Sequence, residues 1–600
     1  MPAHRILTIW VLGKQEITHF LDVVRQHSER DMTTDVKKTS YSKLYANICF
    51  AVLVALFVFM QVPKIGLTPA RENVFERQAQ TSGMIRLYCL DSTRHPLASP
   101  QLPWGNGAFN MELSIFEWGQ GAVARLLDGG SCESVERVSQ ISALLAAVAS
   151  LFFAFLLGNT LFGSFGAILC AGALAFDPAW LKFSTYMLMD IRAVAFAFLG
   201  GFLCLKGRWG WATVAWFVAG SHRPQAFTAM GTYFVLLLGL AQWMHSRRFS
   251  IQSAVIKTLP VFAGGALALC YHAYAAVFNR THDLPWFTWA GPRIFKTYFG
   301  NWHERWEWPF WKGLLFDWLH KPALNLAFAA VVGIGLILFL ARRNSAARTT
   351  TQDLRFIQKL FKNVLILSLP YVVSRFVYTF MFLTVFKWHD YYAVPLNGLG
   401  ALTKGLILGS ILQQTALYFG ETRLRSKLLW LATAVTVVPL GFWAVSNVRH
   451  DLRFTAERRN PGSSLFYHDW GQTIFPADRS LVVVVHPLAA RDMGYLYISK
   501  HPGYTWCKTS PENAPRAFWR DQGVKYVAWP EEPQPNKPLR WTVRTMAEEL
   551  AHARARGWSS DLNDFWAGRT MAEWAKIASR YDLNPCQGGA RDRDPRLWKD

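Results

Sequence analysis

Runs of about 20 mostly apolar residues dominate this chain, and a run of that length is what an α-helix needs to cross a bilayer. They fall at 45–63, 138–157, 160–176, 191–206, 209–221, 225–244, 252–278, 322–341, 362–386, 391–417 and 428–446. A backbone in lipid must satisfy its own hydrogen bonds, so runs of this kind are read as helices. Charged residues make up only 17% of the chain, below the roughly 25% of soluble domains. The formal net charge of +23 would suit nucleic acid or anionic lipid. The apolar runs decide for lipid, and no nucleic-acid partner is expected. The expected fold is an α-helical polytopic membrane protein with about 11 transmembrane helices.

The first 44 residues are polar and mixed in charge, so no cleavable signal peptide is expected, and Met32 is an alternative start. Lys206-Gly-Arg208, Arg247-Arg248, Arg342-Arg343 with Arg348, and Arg423, Arg425 and Lys427 fall on alternate connections. Retention of Lys and Arg in the cytoplasm puts those loops, and the 1–44 segment with them, inside. For a bacterial inner membrane, the loop 64–137, the loop 279–321 and the tail from 447 then face the periplasm. Seven Trp between 286 and 318 suit a membrane interface, or a wall for a lipid tail or sugar ring. Four cysteines, Cys89, Cys132, Cys507 and Cys586, lie on the outer side, where an oxidising compartment favours disulfides. The expected bridges are Cys89–Cys132 and Cys507–Cys586; four free thiols are the alternative.

Three domains are expected: the 1–44 segment, a transmembrane part 45–446, and a periplasmic α/β domain 447–600. Short β-branched or aromatic runs at 481–485, 494–498 and 524–528 read as strands, and 541–580 as helix.

Ionisable groups gather on the outer side. Glu72 and Glu76 lie in the first loop, Glu112 and Glu117 in a stretch expected to lie along the bilayer surface, and Asp190 opens a span. His222-Arg223-Pro224 and His389-Asp390-Tyr391-Tyr392 open two others. Such groups are costly near lipid and are functional candidates for that reason. Capping and snorkelling account for each one singly, but not for carboxylate, imidazole, guanidinium and phenol at one depth.

The order of these residues resembles membrane glycosyltransferases of the GT-C class, in particular the protein O-mannosyltransferase and aminoarabinose transferase group of glycosyltransferase family 39 type. Glu112-Leu-Ser-Ile-Phe-Glu-Trp118 stands where members read Glu-Phe-Pro-Leu-Tyr-Gln-Trp. Asp177-Pro178 with Tyr186 to Asp190, Arg223-Pro224 in place of Lys-Pro, and His389-Asp-Tyr-Tyr-Ala-Val-Pro395 follow in the family's order. The likeness covers roughly 45–500. One departure is Arg71-Glu72, where the family places Asp-Glu.

The resemblance implies transfer, with inversion, of a sugar from a polyprenyl-phosphate donor to a lipid, glycan or protein acceptor on the outer face. A carboxylate must draw off the acceptor's proton; Glu72 ranks first, with Glu112 and Asp190 in support. Cations must meet the leaving phosphate; Arg223, whose guanidinium grips two oxygens at once, is expected to do so with His222 beside it. His389, Asp390, Tyr391 and Tyr392 are expected to bind substrate. No cofactor is required by the pattern, and Glu112 and His222 are the candidate ligands for a divalent metal, without diagnostic spacing. A multi-pass transporter and a non-glycosyl lipid phosphotransferase are the competing readings.

Overall fold

The computed structural model describes residues 32–66, 75–97, 112–246, 251–281, 303–306, 350–382 and 390–419, and, towards the C terminus, 480, 482–486, 503–507, 516–521, 523–530 and 541–558. In chain order the helices of the apolar part are α1 (Met32–Gln61), α2 (Phe75–Leu90), α3 (Ile115–Asp128), α4 (Val135–Ala175), α5 (Pro178–Phe183), α6 (Met189–Leu205), α7 (Trp209–His222), α8 (Pro224–Ser246), α9 (Ile251–Thr281), α10 (Thr350–Met381) and α11 (Val394–Phe419). Six of the described helices, α1, α4, α8, α9, α10 and α11, are long and apolar enough to span a membrane. The chain is thus an α-helical, multi-pass membrane protein.

The remaining expected spans fall into three groups. Those at 322–341 and 428–446 lie outside the described residues. Those at 191–206 and 209–221 are α6 and α7, of 17 and 14 residues, shorter than a full crossing. Those at 138–157 and 160–176 are the two halves of α4, which is a hairpin. Along a straight helix Gly158 and Gly166 would stand about 12 Å apart. Here a Cβ on Gly158 would meet the Gly166 carbonyl oxygen at 2.2 Å. The reversal sits at Phe162-Gly163, and Gly163 supplies its φ of +61°.

Without water to drive apolar surfaces together, helices in lipid associate through close backbone approach and side-chain hydrogen bonds. The second half of α4 packs on α11 in this way. A Cβ on Gly405 would lie 2.4 Å from the Cys170 Cα, and one on Gly409 would lie 2.6 Å from the Gly166 Cα. Polar ties join the other helices: Thr403 Oγ1 donates to the Tyr233 hydroxyl at 2.9 Å, and Ser374 Oγ to the Ala229 carbonyl at 2.6 Å. Cys170 and Cys204 are buried in the bundle, and Cys49 is partly so.

The short α2 and α3 lie between spans and are fastened to one another. Gly121 of α3 meets α2 so closely that a Cβ there would be 2.7 Å from the Tyr88 Cβ. Cys89, near the end of α2, forms a disulfide with Cys132, as expected. The partner expected for Cys507, Cys586, lies outside the described residues. α3 turns Glu117, Gln120, Gly121 and Ala124 inward and leaves Ile115, Trp118, Val123, Leu126 and Leu127 exposed. Its polar face is the one that meets protein, as suits a helix with lipid on its outer side.

Towards the C terminus, strands β1 (Val482–His486), β2 (Gly503–Cys507), β3 (Tyr526–Pro530) and β4 (Trp541–Thr545) form one sheet in the order β2-β1-β3-β4. β1 pairs in parallel with β2 and β3, and β4 is antiparallel to β3. Helices α12 (Arg516–Asp521) and α13 (Met546–Ala555) accompany it. The expected strands at 481–485 and 524–528 are β1 and, two residues later, β3; 494–498 lies outside the described residues. The helix expected over 541–580 needs correcting at its start: Trp541-Thr-Val-Arg-Thr545 is β4. Its β-branched residues favour a strand, and Thr545 then caps α13 in a capping box with Glu548.

Candidate active site at one end of the helix bundle

The end of α7, the start of α8, the start of α6 and the start of α11 come together at one end of the bundle, where α2 and α3 cover them. Loop residues 112–114 are stitched to the α7–α8 junction. Leu113 N donates to the Ser221 carbonyl at 3.0 Å, and His222 Nδ1 pairs with the Leu113 carbonyl at 2.9 Å. This stitching turns Glu112 inward, ahead of α3 rather than on a surface helix as expected.

Glu112 then meets two guanidiniums. Its Oε1 accepts from Arg77 Nη2 at 2.5 Å and from Arg223 Nη1 at 2.7 Å. Arg223 Nε donates in turn to Asp190 Oδ1 at 3.1 Å. Arg223 therefore joins two carboxylates brought from chain positions 111 and 33 residues away. Its guanidinium carbon also lies 5.1 Å from the ring centre of Tyr392, and the Tyr378 hydroxyl holds that tyrosine's carbonyl at 3.1 Å.

A second pair lies alongside. Arg192 Nη1 donates to Glu117 Oε1, both side chains buried. Phe116 separates this pair from His222: the imidazole meets the phenyl edge-on at 5.3 Å, and Arg192 lies 5.9 Å from its centre. Three guanidiniums (Arg77, Arg192, Arg223) thus balance three carboxylates (Glu112, Glu117, Asp190). Burial acts to raise the Glu112 pKa, but the charges of Arg77 and Arg223 outweigh it and hold the carboxyl below its ordinary value. Glu112 is a carboxylate at neutral pH.

Each of these carboxylates uses one oxygen. Glu112 Oε2, Asp190 Oδ2, Glu117 Oε2 and His222 Nε2 are buried without a hydrogen-bond partner among the described residues. Unmet buried polar atoms are costly, and a polar ligand such as a sugar hydroxyl would satisfy them. Among the described residues no three His, Cys, Asp or Glu side chains are placed to hold a metal ion.

Of the residues expected at a site, Glu112, Asp190, His222, Arg223 and Tyr392 come together here. Glu72 and His389 lie outside the described residues. Asp390 and Tyr391 begin the short turn Asp390–Ala393 that leads into α11. The sequence reading missed Arg77 as a clamp and Arg192 altogether. The available signal for Arg192 was a guanidinium two residues after Asp190, inside an apolar run.

No protein-family model matches this chain, and no curated protein matches it in sequence. Solved structures are similar to it in overall trace. One is ArnT from Cupriavidus metallidurans bound to undecaprenyl phosphate, with 14% identity over 80% of this chain and 89% of that one, and a TM-score of 0.46. The same protein in the apo state gives 13%, 81%, 89% and 0.48. The archaeal oligosaccharyltransferase AglB from Archaeoglobus fulgidus, in complex with an inhibitory peptide and a dolichol-phosphate, gives 10%, 81%, 69% and 0.40. At these identities and scores the likeness says nothing of individual residues or chemistry.

Proposed function

We propose that this protein is an inverting membrane glycosyltransferase that moves a sugar from a polyprenyl-phosphate donor to a lipid, glycan or protein acceptor. The observation that carries the reading is the balanced cluster of three guanidiniums and three carboxylates, with one oxygen of each carboxylate unmet. The family-like order of motifs along the chain supports it. In this reading the site and the 447–600 domain face the periplasm across a bacterial inner membrane, and residues 45–446 form the catalytic part.

The roles follow from charge. As the sugar leaves, negative charge grows on the carrier phosphate, and a fixed guanidinium in a buried site stabilises it without reorganising. Arg223 fills that role, pre-set by its two carboxylates, with His222 adjacent and the N-terminus of α8 beginning at Pro224. Glu72, in the first outer loop, takes the acceptor proton. Glu112, held ionised by two arginines, is a poor proton acceptor, and both it and Asp190 instead orient sugar hydroxyls with their unmet oxygens. Tyr392, with His389, Asp390 and Tyr391, borders the substrate.

Arg223→Ala should abolish transfer, and Arg223→Lys, which keeps the charge but not the planar fork, should impair it. Mass spectrometry of lipids from a strain lacking the gene should find an accumulated polyprenyl-phosphate sugar and an acceptor without that sugar. A lipid profile identical to the parent's would count against the reading.

A further inference from the structure

The small sheet towards the C terminus carries a polar cluster that the proposed reaction does not use. Its strand order is β2-β1-β3-β4, with β1 parallel to both of its neighbours. The chain therefore leaves β1 towards one side of the sheet and leaves β3 towards the other. Open sheets of this kind have a crevice at the carboxyl ends of the two strands where the direction changes, and ligands bind there. Trp529 is the last residue but one of β3, so it stands at that end.

Arg516, the first residue of α12, reaches the same place. Its guanidinium carbon lies 5.7 Å from the centre of the Trp529 ring and 5.1 Å from that of Trp558. Trp558 is folded back on the end of α13 by its amide, which donates to the Ala553 carbonyl at 2.9 Å. The Arg516 side chain is wholly buried. Its Nε donates to Glu549 Oε1 at 2.8 Å, and the other oxygen of that carboxylate accepts from Arg544 Nη1 at 2.9 Å. Arg516 Nη1 and Nη2 have no hydrogen-bond partner among the described residues, and neither has the Trp529 indole N–H.

A guanidinium buried with both Nη groups unmet is costly unless something uses them. Those two nitrogens form the end of the side chain that grips two oxygens of one acceptor. Charge points the same way. Glu549 is shared by two guanidiniums, so this contact group holds two cations and one anion. Glu548, next in the chain, is exposed and accepts from the Thr545 amide. The indoles favour a cation beside them and keep Arg516 charged. A hydroxyl would meet one donor and none of the charge. A carboxylate or phosphate group meets both.

We propose that Arg516, walled by Trp529 and Trp558, forms a binding site for a small oxyanion at the carboxyl-end crevice of β1 and β3. The site uses no residue of the Glu112–Arg223 cluster, and it stands whether or not the proposed transfer occurs.

The test uses the purified full chain in detergent, with glucuronate, inorganic phosphate and neutral glucose as probes. Matched ionic strength keeps the net charge of +23 from imitating a site. Calorimetry reads binding, and hydrogen exchange with mass spectrometry locates it. Wild-type protein should bind at least one of the two anions and not glucose, with slower exchange in peptides covering 516–530 and 546–558. Glucuronate alone marks a carboxylate site, phosphate alone a phosphate site, and both together the shared oxyanion fork. Arg516→Lys keeps the charge but loses the planar fork, so it should weaken binding about tenfold or more. If neither anion slows exchange in those peptides of the wild-type protein, the inference is wrong. It is equally wrong if Arg516→Lys, with an unchanged melting temperature, binds both anions within twofold of wild type. The exchange result on wild-type protein decides the matter even where the variant does not fold.

Discussion

Replacing Glu112 by Gln should leave two buried guanidiniums facing an amide oxygen where a carboxylate stood. Arg77 and Arg223 both donate to Glu112 Oε1, at 2.5 and 2.7 Å, and both are buried. Removing one partner of a buried ion pair costs about 3–5 kcal/mol, because it strands the remaining charge. Here one carboxylate serves two arginines and Asp190 still pairs with Arg223, which softens the loss. The expected loss is at the lower end, about 3 kcal/mol. Arg77→Gln alone should cost a similar amount, because Glu112 retains only Arg223. The double variant removes both halves of the pair and should be more stable than the sum of the two losses suggests. Coupling of about 1–3 kcal/mol between the positions is the expected outcome of a double-mutant cycle. Equilibrium denaturation of the purified protein, followed by tryptophan fluorescence, measures all four corners. If the two losses add within about 0.5 kcal/mol, the residues do not form a buried pair and the account of the site loses its central contact.

Because the Glu112 carboxyl is held below its ordinary value, its ion pairs contribute stability above the unfolded-state pKa that is lost as pH falls through the folded one. The acid limb of a pH–activity profile above pH 5 should therefore be unchanged in Glu112→Asp. Replacing Cys89 and Cys132 together by Ser opens a 43-residue loop, which by the chain-entropy model costs about 4 kcal/mol, so the thermal midpoint should fall further than specific activity. Gly158→Val would drive a side chain into the Gly166 backbone, so no folded protein should be recovered in detergent extracts, whereas Gly119→Ala, with open space around it, should express normally.

What the sequence disclosed and what it hid divide along a physical line. Span positions were legible because the bilayer imposes a length, and nine of the eleven expected spans coincide with described helices or helix halves. The two halves of α4 were legible as separate spans at 138–157 and 160–176, but the reversal between them falls a few residues later, at Phe162-Gly163. Strand β4 was mistaken for helix because Trp541 to Thr545 precede a real helix, and a five-residue strand carries little periodic signal of its own. The depth at which ionisable groups gather was readable from helix starts. Their pairing was not, since Arg77 to Glu112, Arg223 to Glu112 and Arg192 to Glu117 join positions 35, 111 and 75 residues apart. Arg223 was read as reaching for a ligand, whereas its first partners are two carboxylates of the protein itself. The inward turn of Glu112 depends on backbone contacts of residue 113 with residues 221 and 222, which no local pattern announces.

The most direct test of the proposed reaction is turnover by the purified protein in vesicles, given a polyprenyl-phosphate sugar and a membrane extract as the source of acceptor. Wild-type protein should consume the donor, release polyprenyl phosphate and pass the sugar to an acceptor, while Arg223→Ala should leave the donor intact. Donor untouched by folded wild-type protein, or consumed equally by Arg223→Ala, would contradict the account.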